Sequence, residues 1–218
     1  MGLIPKIIHQ VWYNRYHDIP KAYSSFSRQM EQLNPGWQYI LWTREKALET
    51  FGDALFQEWD SLNLSHPSSP VVISERIRLL ALREFGGIYA DIDAQPLQTF
   101  DKLLPKIKEE TTFFGGIKNR DDVADKTLID CALVGATKGS AVVKELLKMQ
   151  NVDTFERLSW CVQFSDRLYE LMPQLPNQIQ TFPEEYFYSK EVTENAVILH
   201  EPHRMWSWRD GEPEQMDK

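Results

Sequence analysis

The sequence predicts an α/β protein, and three observations support that class. A long helical segment over residues 70–85 is followed at once by two glycines and a short apolar strand. Residues 4–12 are rich in β-branched side chains, which favour strands. The chain has 218 residues, a length that a single domain of this class can reach. We therefore expect strands that alternate with helices around one central sheet.

Turn signals and hydrophobic period predict the other elements in order. Asn34-Pro35-Gly36 ends a helix over residues 23–33, because this tripeptide favours a turn. Gly52 breaks a helical pattern over residues 44–62. The remaining predictions are strands at 37–43, 112–117, 128–136, 179–182 and 197–200, helices at 101–108, 139–150 and 155–171, and a flexible tail at 210–218.

The helix predicted over residues 70–85 is the best-defined element. Pro70 suits the first helical position, and Gly86 can supply the left-handed residue at which a helix ends. At about 100° per residue, apolar side chains fall on both sides of this helix, so it should be largely buried. Glu75 and Arg78 are then held in or near the interior, where charges need partners. They can pair with each other at i, i+3, or they can face a polar ligand.

Two carboxylates, Asp91 and Asp93, close the strand predicted over residues 88–92. At strand spacing their side chains fall on one face, roughly 6–7 Å apart, where both can bind one hard cation. Tyr89 shares that face and is expected to touch a ligand or to support the pair. Pro96 then ends the element, and ligands of open α/β sheets bind at the carboxyl ends of strands. Such a short motif also occurs by chance, so a solvated strand end or turn is the alternative.

A longer pattern surrounds this pair and resembles a known family. Ser-Glu-Arg-Ile-Arg at residues 74–78 and Gly-Gly-Ile-Tyr-Ala-Asp-Ile-Asp at residues 86–93 are similar to S-D-x-x-R followed by G-G-x-Y-x-D-x-D. That signature is typical of the sugar-binding-region glycosyltransferases with a DXD motif. The group includes initiating mannosyltransferases, capsular polysaccharide transferases and the glucosyltransferase domain of clostridial toxins. The resemblance implies a GT-A fold: one Rossmann-like nucleotide-binding domain over residues 1–218, with a mixed central sheet and flanking helices.

Both ends of the chain also resemble this family. Residues 4–12 look like its opening strand, where an aromatic at the Trp12 position stacks on the nucleotide base and backbone groups near Val11 read the base edge. Residues 203–208, His-Arg-Met-Trp-Ser-Trp, resemble its closing His-x-x-x-Ser-Trp, which folds over the diphosphate. The donor-binding residues that the resemblance implies are Gln10, Val11, Trp12, Glu75, Arg78, Tyr89, Ser207 and Trp208.

The resemblance also implies metal ligands and catalytic residues. The expected ligands are Asp91, Asp93 and His203, with His200 as the alternative histidine. Carboxylate and imidazole together suit Mn²⁺, and Mg²⁺ is the second candidate. The candidate catalytic residues are Asp91, Asp93 and Asp130, although Asp130 stands where the family tends to have Asn.

The expected function is metal-dependent transfer of a hexose from a nucleoside diphosphate sugar to a hydroxyl of a glycan or glycoconjugate, with retention of configuration, as in polysaccharide biosynthesis. A UDP-sugar is favoured as donor, and a GDP-sugar is the alternative. Two other functions stay open. One is a non-catalytic nucleotide-sugar-binding module. The other is a phosphohydrolase of the Asp-x-Asp-x-Thr kind, although Gln95 occupies its threonine position.

Charge and hydropathy argue against other partners. The chain has 24 Lys and Arg against 32 Asp and Glu, a formal net charge of −8. No basic run is longer than two residues, so nucleic acid is not an expected partner. No stretch approaches the ~20 apolar residues of a transmembrane segment, and residues 1–10 lack the layout of a signal peptide. We expect a soluble, intracellular, cytoplasmic protein whose partners are a nucleotide-sugar donor and a glycan or glycoconjugate acceptor.

Overall fold

The computed structural model describes residues 3–13, 18–52, 69–119, 127–150, 160–188 and 192–200. Short 3₁₀ turns at Phe100–Lys102, Leu104–Lys106 and Glu184–Tyr186 accompany the main elements. The helices and strands of the described part are β1 (Ile7–Trp12), α1 (Lys21–Leu33), β2 (Gln38–Thr43), α2 (Arg44–Phe51), α3 (Ser69–Phe85), β3 (Gly87–Ala90), β4 (Ala94–Pro96), β5 (Phe113–Asn119), β6 (Thr127–Ala136), α4 (Ala141–Met149), α5 (Trp160–Leu171), β7 (Ile179–Phe182) and β8 (Ile198–His200).

Within the described residues, six strands form one mixed sheet in the order β2-β1-β3-β6-β5-β7. β1 is parallel to β2 and to β3, and β5 is parallel to β7, whereas β6 is antiparallel to both of its neighbours. β4 and β8 form a separate antiparallel ribbon. The predicted α/β class with a mixed central sheet is confirmed.

The sheet separates two hydrophobic cores. Adjacent residues of a strand point to opposite faces, and Phe113 and Phe114 accordingly lie in different cores. One core packs the sheet against α2, α3, α4 and α5. The other packs it against α1, Phe100 and Phe187. With both faces covered, ligands are left with the edges of the sheet.

Most predicted elements are present, and the observed elements differ from the predicted ones mainly in where they begin and end. Gly86 has φ +67° and ends α3, as predicted, with its N–H donating to Leu82 O at 2.9 Å. The helix predicted at 101–108 is wrong: two 3₁₀ turns stand there, because Pro105 has no N–H for an α-helical bond. Of the helix predicted at 44–62, residues 53–62 lie outside the described residues, as does the predicted tail.

Candidate metal centre

β3 ends at Ala90, and hydrogen bonds of the Asp91 backbone hold the next residue in place. Its N–H donates to Ala132 O at 2.8 Å. Its carbonyl accepts from Ala94 N–H at 3.1 Å and from the Gln10 side-chain amide at 3.1 Å. The bond from Ala94 closes a turn over residues 91–94. The prediction that both aspartates lie at strand spacing is therefore wrong, since this turn carries them.

The ribbon of β4 and β8 brings His200 to this turn. Ala94 pairs with His200 in the ribbon. The Nε2 atom of His200 lies 3.3 Å from Asp93 Oδ1 and 3.6 Å from Asp91 Oδ2. One ligand atom from each of Asp91, Asp93 and His200 lies within 4.8 Å of the others. His203, the histidine preferred from the sequence, lies outside the described residues.

The three side chains fit a divalent cation. With metal–ligand distances of about 2.1 Å, atoms at neighbouring corners of an octahedron are about 3 Å apart. The 3.3 and 3.6 Å separations need only a small contraction. Two carboxylates and one imidazole suit Mn²⁺ among the common ions. The His200 side chain is 7% exposed, and its Nδ1 has no hydrogen-bond partner within the described residues.

The electrostatics of the cluster favour added positive charge. Burial raises the pKa of Asp91 and outweighs Arg78, and the charge of Asp93 raises it further. Burial alone would lower the pKa of His200, but a hydrogen bond to Asp93 and the charge of Asp91 outweigh it, so this pKa is raised. Asp91 and Asp93 therefore share the positive charge of a protonated His200, and a bound metal ion could take the place of that proton.

Arg78 lies behind Asp91 and connects it to α3. Its Nη1 is 2.8 Å from Glu75 Oε2, and its Nη2 is 2.8 Å from Asp91 Oδ1. The guanidinium also stacks on Tyr89 at 4.0 Å from the ring centroid. Tyr89 Oη donates to Asp91 Oδ1 at 2.7 Å. The i, i+3 pair that the sequence offered as one alternative is present, and Tyr89 contacts Asp91 of the acidic pair.

Asp130 lies beside the cluster on β6. Its Oδ1 accepts from Ala132 N–H at 2.9 Å and from Tyr188 Oη at 3.3 Å, and its Oδ2 is 3.4 Å from Lys118 Nζ. The Tyr188 ring meets His200 edge-on at 5.9 Å. Burial would raise the pKa of Asp130, but Lys118 and His200 outweigh it, so this pKa is lowered. Asp130 is thus a charged neighbour of the cluster.

Sequence reasoning missed Lys118 and Tyr188. A single lysine at the start of a polar loop and a single tyrosine after a short strand carry no motif. The register of β5 and β6 shifts between Gly115 and Gly116, so residues 131–133 have no paired position on β5. Asp130, which Lys118 and Tyr188 contact, lies at this irregularity.

The other predicted donor-binding residues are divided between β1 and the chain's end. Gln10 is fully buried, and its Oε1 accepts from Tyr39 Oη at 2.7 Å. Val11 is buried, and Trp12 is half-buried at the end of β1. The pairing of β1 with β3 covers Ile8 and His9, so Val11 and Trp12 extend beyond it on the side of the aspartates. Ser207 and Trp208 lie outside the described residues.

The fold and the site can now be compared with those of known proteins. Residues 20–111 match the model of the family described as glycosyltransferase sugar-binding region containing DXD motif. The resemblance to this family that the sequence indicated is therefore confirmed for that region.

Particular relatives share this region. The mannosyl phosphorylinositol ceramide synthase SUR1 of Saccharomyces cerevisiae is 33% identical over 102 residues, which are 47% of this chain and 26% of that protein. The match thus spans about a quarter of the relative's length. Among solved structures, the PaToxG glycosyltransferase is 20% identical with a TM-score of 0.52, covering 80% of this chain and 72% of that chain.

A second solved structure has the same fold. It is a glycosyltransferase involved in the glycosylation of the major capsid of PBCV-1, 10% identical with a TM-score of 0.54, covering 90% of this chain and 93% of that chain. At identities of 20% and 10%, these two structures are evidence for the fold alone. They support the GT-A architecture that the sequence predicted.

The expected cytoplasmic location is wrong, because the curated relatives are Golgi membrane enzymes. The expectation depended on the lack of a long apolar run, which describes these 218 residues only. Among the described helices, none combines the length and the apolar character needed to cross a membrane.

Proposed function

We propose that this protein transfers a hexose from a nucleoside diphosphate sugar to a hydroxyl group of a glycoconjugate, with the aid of Mn²⁺ or Mg²⁺. The observation that carries the proposal is the meeting of Asp91, Asp93 and His200 at the carboxyl end of β3, with ligand atoms within 4.8 Å of one another. In α/β sheets this edge is where nucleotides bind.

Each part of the site has one task in this proposal. Asp91, Asp93 and His200 hold the cation, which when bound neutralises charge on the diphosphate as the sugar leaves. Trp12, at the end of β1, stacks on the base. Asp130, kept ionised beside Lys118, faces the sugar. The family resemblance favours retention of configuration at the anomeric carbon, which NMR of the first-formed product measures directly.

The relatives suggest which sugar and acceptor to test first. SUR1 is named a mannosyl phosphorylinositol ceramide synthase. We therefore include mannose among the donor sugars and an inositol-phosphate lipid among the acceptors. The donor base is settled by comparing UDP- and GDP-linked forms of the same hexose.

The test is a panel of UDP- and GDP-hexoses incubated with Mn²⁺, with and without acceptor. The proposal expects release of the nucleoside diphosphate, faster with acceptor and abolished by EDTA. Glu110→Gln is the matched control, because it neutralises an exposed acid next to the amino end of β5, opposite the site. Saturable binding without turnover would instead favour a binding module, and turnover of a simple phosphate ester would favour a hydrolase.

Trp12→Ala should weaken nucleoside diphosphate binding by ~1–3 kcal/mol, the range of base–aromatic stacking. Trp12→Phe keeps an aromatic face and should recover most of the affinity. Titration calorimetry with Mn²⁺ present measures both. An unchanged affinity in Trp12→Ala would remove Trp12 from the site.

A further inference from the structure

Tyr188 contacts three side chains of the site at once. Its Oη donates to Asp130 Oδ1 at 3.3 Å, and Lys118 Nζ lies over its ring at 5.1 Å from the centroid. The imidazole of His200 meets the same ring edge-on, with the two centroids 5.9 Å apart. Tyr188 itself is 6% exposed. A tyrosine has a polar end and an apolar ring, so its hydroxyl and its ring reach different parts of the site.

The hydrogen bonds of the Tyr188 hydroxyl have one direction. The Leu133 N–H can only donate, and it donates to Tyr188 Oη at 3.4 Å. The single proton of the hydroxyl is therefore left for Asp130 Oδ1. That oxygen also accepts from Ala132 N–H at 2.9 Å. Two donors on one oxygen set the orientation of the Asp130 carboxylate, and its Oδ2 then lies on the side of Lys118.

The Tyr188 ring limits how the His200 imidazole can tilt. Nε2 of His200 lies near Asp91 and Asp93, whereas its Nδ1 has no hydrogen-bond partner in the part of the chain that the structure describes. Contacts at one nitrogen leave the imidazole free to tilt about that atom. The Tyr188 ring packs against it at an interplanar angle of 81°, an arrangement that aromatic rings favour. Tyr188 thus supplies a second point of support for His200.

The fold makes room for Tyr188 through a glycine. A Cβ at Gly116 would lie 2.7 Å from Tyr188 Cε2, which is too close for any side chain. Gly116 is the residue of β5 that pairs with Asp130 on β6. The Tyr188 N–H also donates to Glu184 O at 2.8 Å. Both the ring and the backbone of Tyr188 are therefore held by the protein itself, opposite the carboxylate that the hydroxyl binds.

We propose that Tyr188 is a positioning residue with two tasks. Its hydroxyl orients the carboxylate of Asp130 toward the transferred sugar, and its ring holds the imidazole of His200 in place as a cation ligand. The inference rests on the proposed function, which supplies the roles of Asp130 and His200. Different atoms of one side chain make the two contacts, so substitutions can remove them separately.

The experiment compares two substitutions of Tyr188. Tyr188→Phe removes the hydroxyl and keeps the ring, whereas Tyr188→Leu removes both. Tyr186→Phe and Tyr186→Leu are the matched controls, because Tyr186 lies two residues earlier and its ring packs on Phe182. Thermal unfolding, Mn²⁺ affinity by electron paramagnetic resonance without nucleotide, and kcat/KM for the preferred nucleoside diphosphate hexose are measured for each protein. Asp130→Ala, alone and combined with Tyr188→Phe, completes a double-mutant cycle.

Tyr188→Phe should lower kcat/KM about 10-fold, the scale of one hydrogen bond to a charged group. It should leave Mn²⁺ affinity unchanged, because the ring against His200 remains. In the Asp130→Ala background it should cause no further loss, since the hydroxyl then has no carboxylate to orient. Both Tyr186 variants should keep the wild-type kcat/KM and Mn²⁺ affinity per folded molecule.

Tyr188→Leu should also weaken Mn²⁺ binding about 10-fold, the lower end of the effect of losing an outer partner of a metal ligand. In the metal-free protein it should move the imidazole NMR signals of His200, because the neighbouring ring is gone. Tyr188→Phe should leave those signals in place. This readout needs neither metal nor donor.

The outcomes separate this inference from the proposed function. Wild-type protein that neither binds Mn²⁺ nor turns over a nucleotide sugar would reject the proposed function, and this inference with it. With wild-type activity present, an equal loss from Tyr188→Phe in the presence and absence of Asp130 would reject the action through that carboxylate. Wild-type Mn²⁺ affinity or unmoved His200 signals in Tyr188→Leu would reject the support of the imidazole. If Tyr188→Leu does not fold, the cycle with Tyr188→Phe still decides.

Discussion

A histidine with a largely buried side chain lies near each end of β3, and the two histidines have different partners. At the amino end, His9 Nδ1 accepts from the Trp42 indole N–H at 3.1 Å. Its Nε2 must then carry the proton, which it donates to Gly86 O at 2.7 Å. At the carboxyl end, His200 Nε2 lies between two carboxylates, and its Nδ1 has no hydrogen-bond partner in the described part of the chain.

The pKa shifts of these histidines have opposite signs. Burial lowers the pKa of His9 to about 4, and the hydrogen bond to Gly86 only partly offsets this. The carboxylates around His200 overcome the same effect of burial and raise its pKa. Burial therefore does not distinguish the histidine of the proposed metal centre from the structural one. The distinction comes from neighbouring charges that the fold leaves only partly compensated.

Close packing explains why the amino end suits a structural role. Gly87 has φ +104°, and a Cβ there would lie 2.4 Å from Ile7 O and 3.2 Å from His9 Nε2. Backbone, glycine and imidazole thus approach one another too closely for a ligand to enter. At the other end, Asp91 and Asp93 keep 26% and 16% of their side chains exposed.

Asp93→Asn should produce the largest functional effect at the carboxyl end. We expect turnover to fall ~10³-fold, about 4 kcal/mol, because one charge of the metal centre is lost. The midpoint of thermal unfolding without metal should change little, since Asp93 is only partly buried and lies in a turn. Steady-state kinetics with the preferred donor, together with calorimetry, measures both. Full turnover in Asp93→Asn in the presence of EDTA would contradict the metal centre.

His9→Ala should have the opposite effect at the amino end: it should reduce stability and leave Mn²⁺ binding nearly unchanged. It leaves two buried polar groups without partners and opens a cavity, so the free energy of unfolding should fall by about 3–4 kcal/mol. Mn²⁺ affinity per folded molecule should stay within a factor of about two, because no cation ligand is touched. Denaturant unfolding and Mn²⁺ titration test this pair of expectations. A selective loss of Mn²⁺ binding in His9→Ala would contradict this expectation and show that the two ends of β3 are coupled.

The pH dependence of stability should show His9 directly. Its pKa is about 4 in the folded protein and near 6.5 when unfolded, so the unfolded state binds more protons between these values. The stabilisation is complete above pH 6.5 and decreases as the pH falls toward 4, by about 3 kcal/mol in total. Denaturant melts at several pH values should show a flatter profile for His9→Gln than for wild type. Equal slopes would contradict the neutral assignment.

Trp42→Phe should give the smallest effect. It removes one indole N–H from His9 Nδ1 while keeping an aromatic ring, and should cost about 1–2 kcal/mol of stability. The pKa of His9, followed by NMR, should rise as the imposed tautomer is lost. An unchanged pKa would show that burial alone keeps His9 neutral.

Much of the site could be predicted because its signals are local. Gly86 ends α3 at positive φ, and an apolar strand followed by Asp91 and Asp93 is contiguous in sequence. The pairing of Glu75 with Arg78 follows from helical spacing. Prediction failed where a contact between residues far apart in the sequence sets the local backbone structure. Ala94 turns away from β3 because it pairs with His200, more than one hundred residues later, and no periodicity in residues 88–93 reports that partner.

The sequence alone determined the α/β class, the position of the glycine pair and the presence of two carboxylates after a buried strand, since backbone conformation and short-range period set these features. The tertiary structure decided that His200 joins the aspartates, that Gln10 binds a carbonyl, and that one oxygen of Asp91 faces inward. Those outcomes depend on how strands far apart in the chain pair and bring side chains together, and on burial that forces each polar group to find a partner.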